Sequence, residues 1–311
     1  MGSKYTYGPV PSRRLGRSLG VDLVPLKTCN FNCVYCQLGP TPRTMIERAG
    51  YVPVEEIVAD VRRQLETGPR PDFVTLSGSG EPTLNASFGE IASAIGELTD
   101  IPIALLTNGG LFHLPEVRAA CGAIDLLLPS LDAGDEDTFQ RINRPHPSLS
   151  LEQVVSGLAQ LRAGFDGEIW LEVFIVDGLN SSDQQMGCIG ACIERIEPDR
   201  VQINTAVRPP AEADVRAPSA QRLEAIREML GPRAEIIAPG RAFEEAAGAH
   251  AEKDEVLAML RRRPCTLEDI ANGLGIHPNE AVKCVRALLD EGAIVRRQRR
   301  YQTYYEGASG E

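Results

Sequence analysis

Three cysteines fall within eight residues, Cys29, Cys33 and Cys36, in the stretch LKTCNFNCVYCQLG at residues 26–39. Thiolates are soft ligands and select zinc, Cu(I) or iron-sulfur clusters. A structural zinc site is closed by four protein ligands, and no histidine follows until His113. A [4Fe-4S] cube held by three cysteines instead leaves one iron without a protein ligand, and that iron can take a substrate or cofactor. The same i, i+4, i+7 spacing also fits one face of a buried helix. Against a helix, the stretch follows an apolar run, carries Asn30 and Asn32, and ends in Gly39 and Pro40, which is loop composition.

The elements around this loop must position it. Apolar runs at 19–26, 73–76, 103–107, 126–129, 169–176 and 201–204 read as strands. Amphipathic helices are predicted between them at 54–66, 88–98, 114–121, 151–163 and 182–196. Continuous apolar strands alternating with such helices imply a parallel sheet covered by helices, here an α/β incomplete (β/α)6 TIM-like barrel. Residues 5–20 hold too much Gly and Pro for a helix and read as a loop or short edge element. Their Arg13, Arg14 and Arg17 either bind an anionic group or face solvent.

Ligands of parallel α/β folds lie at the C-terminal ends of the strands. The polar residues there are Ser77-Gly78-Ser79-Gly80-Glu81-Pro82, then Thr107-Asn108-Gly109-Gly110, then Ser130-Leu131-Asp132. Each alone is an ordinary turn. Their arrival at successive strand ends makes the set a candidate site. Glu172 interrupts an apolar run and points either into the barrel or to solvent at the sheet edge, and Gln202, Asn204 and Arg208 close the sixth strand.

The chain has 311 residues, about two domains' worth, with 43% hydrophobic and 24% charged residues, the balance of an ordinary globular protein. It contains no run of 18 apolar residues and no secretory leader at its N-terminus, which predicts a cytoplasmic protein with no membrane partner. In that compartment the eight cysteines are reduced thiols. A net charge of −11 disfavours attraction to phosphate over the whole surface and leaves room for a local basic patch.

The spacing C-x3-C-x2-C with Tyr35 before the last cysteine resembles the cluster motif of the radical S-adenosylmethionine (radical SAM) superfamily. The resemblance implies that Cys29, Cys33 and Cys36 bind a [4Fe-4S] cluster whose open iron chelates SAM, an oxidoreductase chemistry fed by a reductant such as flavodoxin or ferredoxin. SGSGEP resembles that superfamily's GGE motif, with Ser79 in place of one glycine. Gly78, Ser79, Gly80 and Glu81 would then hold the SAM amino group. LLTNGG and PSLDAGDEDTFQRIN resemble stretches of the molybdenum cofactor GTP-cyclising enzyme, implying that Thr107, Asn108, Ser130 and Asp132 join Tyr35 in binding SAM. The N-terminal pattern as a whole resembles radical SAM Fe-S oxidoreductases related to the wyosine-forming tRNA enzymes.

Composition changes after residues 239–251, which read as a linker. From Glu252 to Tyr305 there are 10 Lys/Arg against 8 Asp/Glu, while the whole chain carries 32 against 43. Helices predicted at 252–263, 266–274 and 278–291, followed by an alternating stretch at 294–305, resemble a winged helix-turn-helix domain. The expected organisation is a radical SAM domain over 1–238 and a small winged-helix domain over 252–311. Arg296, Arg297, Arg299 and Arg300 would meet phosphates, with Tyr301, Tyr304 and Tyr305 stacking on bases. The function implied is reductive SAM cleavage that starts hydrogen abstraction on an RNA, a protein or a small molecule. The alternative is a DNA-binding regulator that senses through its cluster.

Overall fold

β1 (Thr6–Ser12) and β2 (Gly16–Asp22) pair as an antiparallel hairpin. The computed structural model to which it belongs describes residues 4–12, 14–206, 211–212, 214–237, 253–274, 276, 278–299 and 302–308. Arg13, Arg208, Arg300, Tyr301 and the linker expected at 239–251 lie outside the described residues.

From β2 onward every strand runs parallel to its neighbour and in sequence order: β3 (Phe73–Ser77), β4 (Ile103–Thr107), β5 (Leu126–Pro129), β6 (Glu168–Ile175), β7 (Arg200–Thr205) and β8 (Ala234–Ile236). The six-stranded expectation is therefore corrected to an eight-stranded sheet, seven strands of it parallel. β1 is an edge strand, the second of the two alternatives for residues 5–20, and its Pro9 and Pro11 are tolerated there because one side needs no ladder bonds. β8 has only three residues, too few to show a period.

Helices α1 (Val54–Thr67), α2 (Phe88–Gly96), α3 (Pro115–Ala119), α4 (Glu136–Ile142), α5 (Leu151–Arg162), α6 (Asp183–Ile196) and α7 (Ala220–Leu230) connect the strands. α4 is unanticipated, for its seven residues bury only Thr138, Phe139 and Ile142. Its start is fixed by Asp135, whose carboxylate accepts from the Thr138 N–H at 2.9 Å.

Alternation along the strands divides the interior in two. Ile103, Leu105, Leu127, Ile169, Leu171 and Val173 face the helices and join Ile57, Phe88 and Val154 in the main core. Ala104, Leu126 and Leu128 face the other way and pack with Trp170 around Leu15, which the hairpin turn carries into the barrel. The hydrophobic plug at the start of the strands leaves polar side chains at their ends.

A second unit follows: α8 (Lys253–Arg262), α9 (Leu267–Leu274) and α10 (Pro278–Asp290), then the antiparallel pair β9 (Ile294–Arg299) and β10 (Gln302–Gly307). Thr266 and Asp269 cap α9 reciprocally, each backbone N–H donating to the other's side chain at 3.0 Å. Val256, Leu260, Ile270, Val285 and Leu288 form its own core, against which Val10 of β1 also packs. No helix among the described residues is long and apolar enough to cross a membrane.

Candidate functional site

β2 ends at Asp22, and the chain then turns into the cysteine loop, which has no regular helix. The buried-helix alternative for the three cysteines is thereby removed. The loop is tied to its surroundings by backbone bonds: Lys27 N–H to Ser79 C=O at 2.6 Å, Glu81 N–H to Thr28 C=O at 2.9 Å, and Val34 N–H to Ile142 C=O at 3.0 Å.

Each cysteine sulfur meets one side-chain N–H donor, and each donor comes from a different place. Asn108, at the end of β4, lies 3.6 Å from Cys29 Sγ. Asn143, the residue ending α4, lies 3.6 Å from Cys33 Sγ. Lys27 Nζ lies 3.3 Å from Cys36 Sγ and also donates to the Gly39 carbonyl. Three sulfurs thus receive hydrogen bonds from two helix or strand ends and from the loop's own start.

Burial pushes the Cys29 thiol up to about 12, with the Glu81 carboxylate adding to the rise. Burial and then Asp132 hold Cys33 well above the ordinary thiol value, and the charges of Cys29 and Cys36 add to it, so the three groups sense one another. Without a cation Cys29 and Cys33 stay protonated. A positively charged iron centre reverses that preference.

The strand ends meet at Glu81. Its Oε1 accepts from Thr83 N–H at 3.1 Å, Thr83 Oγ1 at 2.6 Å and Thr107 Oγ1 at 2.6 Å, and its Oε2 accepts from Asn108 N–H at 2.7 Å. Burial nevertheless raises its carboxyl above the usual range, because desolvation of a carboxylate outweighs even this many donors here. Gly80 permits the approach: a Cβ there would lie 2.1 Å from the Thr28 carbonyl oxygen.

Asp132 is buried and fully engaged. It accepts from Tyr35 OH, from Asn143 Nδ2 at 2.6 Å and from Phe174 N–H at 2.9 Å. Desolvation lifts its carboxyl to about 6. The Tyr35 ring stacks on Phe174 with centroids 4.0 Å apart. Asp132 therefore anchors the aromatic residue of the cysteine loop through its side chain. Ser130 is half-buried at the end of β5 and donates its N–H to Thr107 C=O at 3.1 Å.

Glu172 points into the barrel, settling the choice its sequence leaves open. It forms an ion pair with Arg14, both side chains under a fifth exposed, and accepts from Asn204 Nδ2 at 3.3 Å. The arginine comes from the β1–β2 turn, so the hairpin supplies the counter-charge that an inward carboxylate needs. Gln202 donates to Glu235 at 2.9 Å.

The residues fit the implied cluster. Asn30, which follows Cys29 in the sequence and is wholly buried, has its Nδ2 without a partner. A buried donor left unpaired is costly, and cluster sulfides are acceptors of the kind it lacks. Among the described residues no group of three His, Cys, Asp or Glu is arranged to hold a metal ion. A cube distributes its three cysteines over three irons, so they need not converge on one ion-sized point.

Comparison with known proteins gives the family. The Radical SAM superfamily model matches residues 23–186, more than half the chain. The chain belongs to the radical SAM superfamily. Radical SAM proteins use a [4Fe-4S] cluster and SAM, and Cys29, Cys33 and Cys36 lie within the matched residues. The sequence is 34% identical over 295 residues to a protein named GTPase Obg of Brachyspira hyodysenteriae, covering 94% of this chain and 43% of that protein. It is 29% identical over 308 residues to a UPF0026 protein of Methanocaldococcus jannaschii, covering 96% of this chain and 94% of that one. The fold is similar to a radical SAM methyltransferase from Sphaerobacter thermophilus, with TM-score 0.53 at 19% identity over 70% of this chain and 65% of that one.

Sequence inspection misses Lys27 and Asn143 in this radical SAM site. Lys27 carries a signal in the structure alone, its left-handed φ of 65°, uncommon for a residue with a side chain. Asn143 stands at the end of the unanticipated α4.

The C-terminal unit corrects one expectation. Tyr304 is 5% exposed and Tyr305 packs against the unit's core, so neither ring is presented for stacking. The side chains of Arg296 and Arg297 are exposed, and Arg297 pairs with Glu306.

Proposed function

We propose that this chain cleaves SAM reductively and starts hydrogen abstraction on a nucleic-acid substrate engaged by the C-terminal unit. The observation that carries the first part is the provision of one side-chain N–H donor to each of three cysteine sulfurs, beside a strand-end network centred on Glu81. When bound, the reduced cluster supplies the electron that splits SAM into methionine and a 5′-deoxyadenosyl radical.

The chain's own residues then have distinct tasks. Cys29, Cys33 and Cys36 hold the cluster, and Asn108, Asn143 and Lys27 stabilise negative charge on those sulfurs by hydrogen bonding. Gly78, Ser79, Gly80 and Glu81 hold the SAM amino group through backbone carbonyls and the carboxylate. Thr107, Asn108 and Ser130 line the same strand ends, Tyr35 closes the loop side, and Asp132 keeps Tyr35 in place. Glu172, Arg14 and Asn204 form a polar wall inside the barrel where a substrate group can be oriented.

Three helices followed by an antiparallel pair support a winged-helix domain, with α10 as the recognition helix. Exposed Arg296 and Arg297 on the wing, and the resemblance to wyosine-forming tRNA enzymes, favour RNA as the substrate class. A cluster-sensing DNA regulator has less support, since it requires no SAM-binding strand ends. Anaerobic reconstitution, dithionite reduction and SAM addition test the proposal. It expects 5′-deoxyadenosine and about four iron and four sulfide per chain. Absence of 5′-deoxyadenosine, with DNA binding that follows cluster oxidation state, overturns it in favour of the regulator.

A further inference from the structure

The C-terminal unit reaches the strand-end site through Arg262. Arg262, the last residue of α8, sets its Nε 3.2 Å from Asp22 Oδ2, across 240 residues of sequence. Asp22 is the final residue of β2, where the chain leaves the barrel for the cysteine loop. Its other oxygen, Oδ1, accepts from Ser79 N–H at 2.8 Å and from Ser79 Oγ at 3.1 Å. One carboxylate therefore bridges the C-terminal unit and the SGSGE loop.

The contact is built on both sides. Gly78 adopts φ 116°, and a Cβ there would fall 1.6 Å from Asp22 Oδ1, so the carboxylate occupies space that only glycine leaves. Ser79, which departs from the glycine of the superfamily motif, supplies a hydroxyl to the same oxygen. The Arg262 guanidinium also lies over the Tyr7 ring, 4.4 Å from its centroid. Tyr7 OH is in turn 2.9 Å from Ser77 Oγ, at the start of the same loop. Two routes thus run from α8 to the loop, through Asp22 to Ser79 and through Tyr7 to Ser77. The pair is largely shielded, with side-chain exposures of 22% for Arg262 and 13% for Asp22, so solvent weakens it less than a surface pair.

We infer that Arg262 is a positioning residue for SAM binding: through Asp22 and Tyr7 it holds the Ser77–Glu81 loop in the shape that receives the SAM amino group. The inference rests on the role proposed above for that loop. A ligand that moves α8 changes SAM affinity, and by linkage SAM changes that ligand's affinity by the same factor. The C-terminal unit is then part of the SAM site's support as well as a substrate handle.

The test is equilibrium dialysis of SAM against anaerobically reconstituted, unreduced full-length protein, comparing wild type with Arg262→Gln, Asp22→Asn, the double variant, Arg262→Lys and Glu81→Gln. Arg262→Gln is expected to weaken SAM binding about fivefold, with Asp22→Asn similar and the double variant no worse than either. Arg262→Lys recovers part of the loss, since it keeps the charge and loses the flat contact with Tyr7. Iron content and cluster absorbance stay at the wild-type level. Wild-type SAM affinity in Arg262→Gln, alongside weakened binding in Glu81→Gln, overturns the inference and leaves the loop's role standing. Wild-type affinity in Glu81→Gln overturns the loop's role and this inference with it. Loss of iron together with SAM in Arg262→Gln also overturns it, by showing a general structural defect.

Discussion

Lys27 reaches across the cysteine loop to place its Nζ 3.3 Å from Cys36 Sγ. It does so from a left-handed backbone conformation, φ 65°, while its own N–H is bonded to Ser79 C=O at 2.6 Å. A cation at a cluster ligand favours the reduced, more negative state. Lys27→Met is therefore expected to make the cluster harder to reduce, lowering its midpoint by on the order of 50 mV, the scale of one charge-assisted hydrogen bond. EPR-monitored potentiometry reads this directly. A midpoint equal to wild type removes Lys27 as a tuning group.

Cys33→Ala removes one of three cluster ligands and leaves a small buried residue. The variant should retain its far-ultraviolet circular dichroism while losing cluster iron and 5′-deoxyadenosine formation. Full iron content and full SAM cleavage in this variant would refute the ligand assignment.

The Arg14–Glu172 pair joins the hairpin turn to the middle of β6 inside the barrel. Removing one partner leaves the other charge shielded and unpaired, so Glu172→Leu should destabilise by about 2–3 kcal/mol, below the fully buried case because water reaches both groups. The double variant Arg14→Met, Glu172→Leu should recover much of that loss. Denaturant midpoints of the singles and the double measure the coupling, and additive losses contradict a direct pairing.

Gly80→Ala places a methyl carbon against the Thr28 carbonyl, which cannot yield without moving the cysteine loop. The expected result is a stability loss of about 1–3 kcal/mol together with reduced SAM affinity. Thermal unfolding and SAM dialysis check the two effects. An unchanged SAM affinity shows that the two loops can separate without consequence.

Arg296→Ala is expected to weaken RNA binding across sequences and to reduce the dependence of log K on log salt by about 0.7 if it meets one single-stranded phosphate. Arg297→Ala should do less, because its guanidinium is already paired with Glu306. Filter binding over a salt series distinguishes them. An identical slope in both variants and wild type counts against the wing as the phosphate contact.

Local chemistry was legible in the sequence. Three clustered thiols, six apolar runs alternating with amphipathic helices, and polar residues after successive runs are patterns of type and spacing, and they locate the cysteine loop and the strand-end residues without any contact being known.

Tertiary structure decided what depends on partners distant in the chain. A single carboxylate at position 172 has no intrinsic direction; Arg14, 158 residues earlier, makes the inward orientation affordable. Asp22 looks like the end of a strand until Arg262 and Ser79 take its two oxygens. Gly and Pro leave β1 open between a loop and a short edge element, and β8 has only three residues, so register with a neighbour decides that each is a strand. Periodicity records which face of an element is buried, whereas a hydrogen bond or ion pair between remote residues exists only once the fold has set the distance between them.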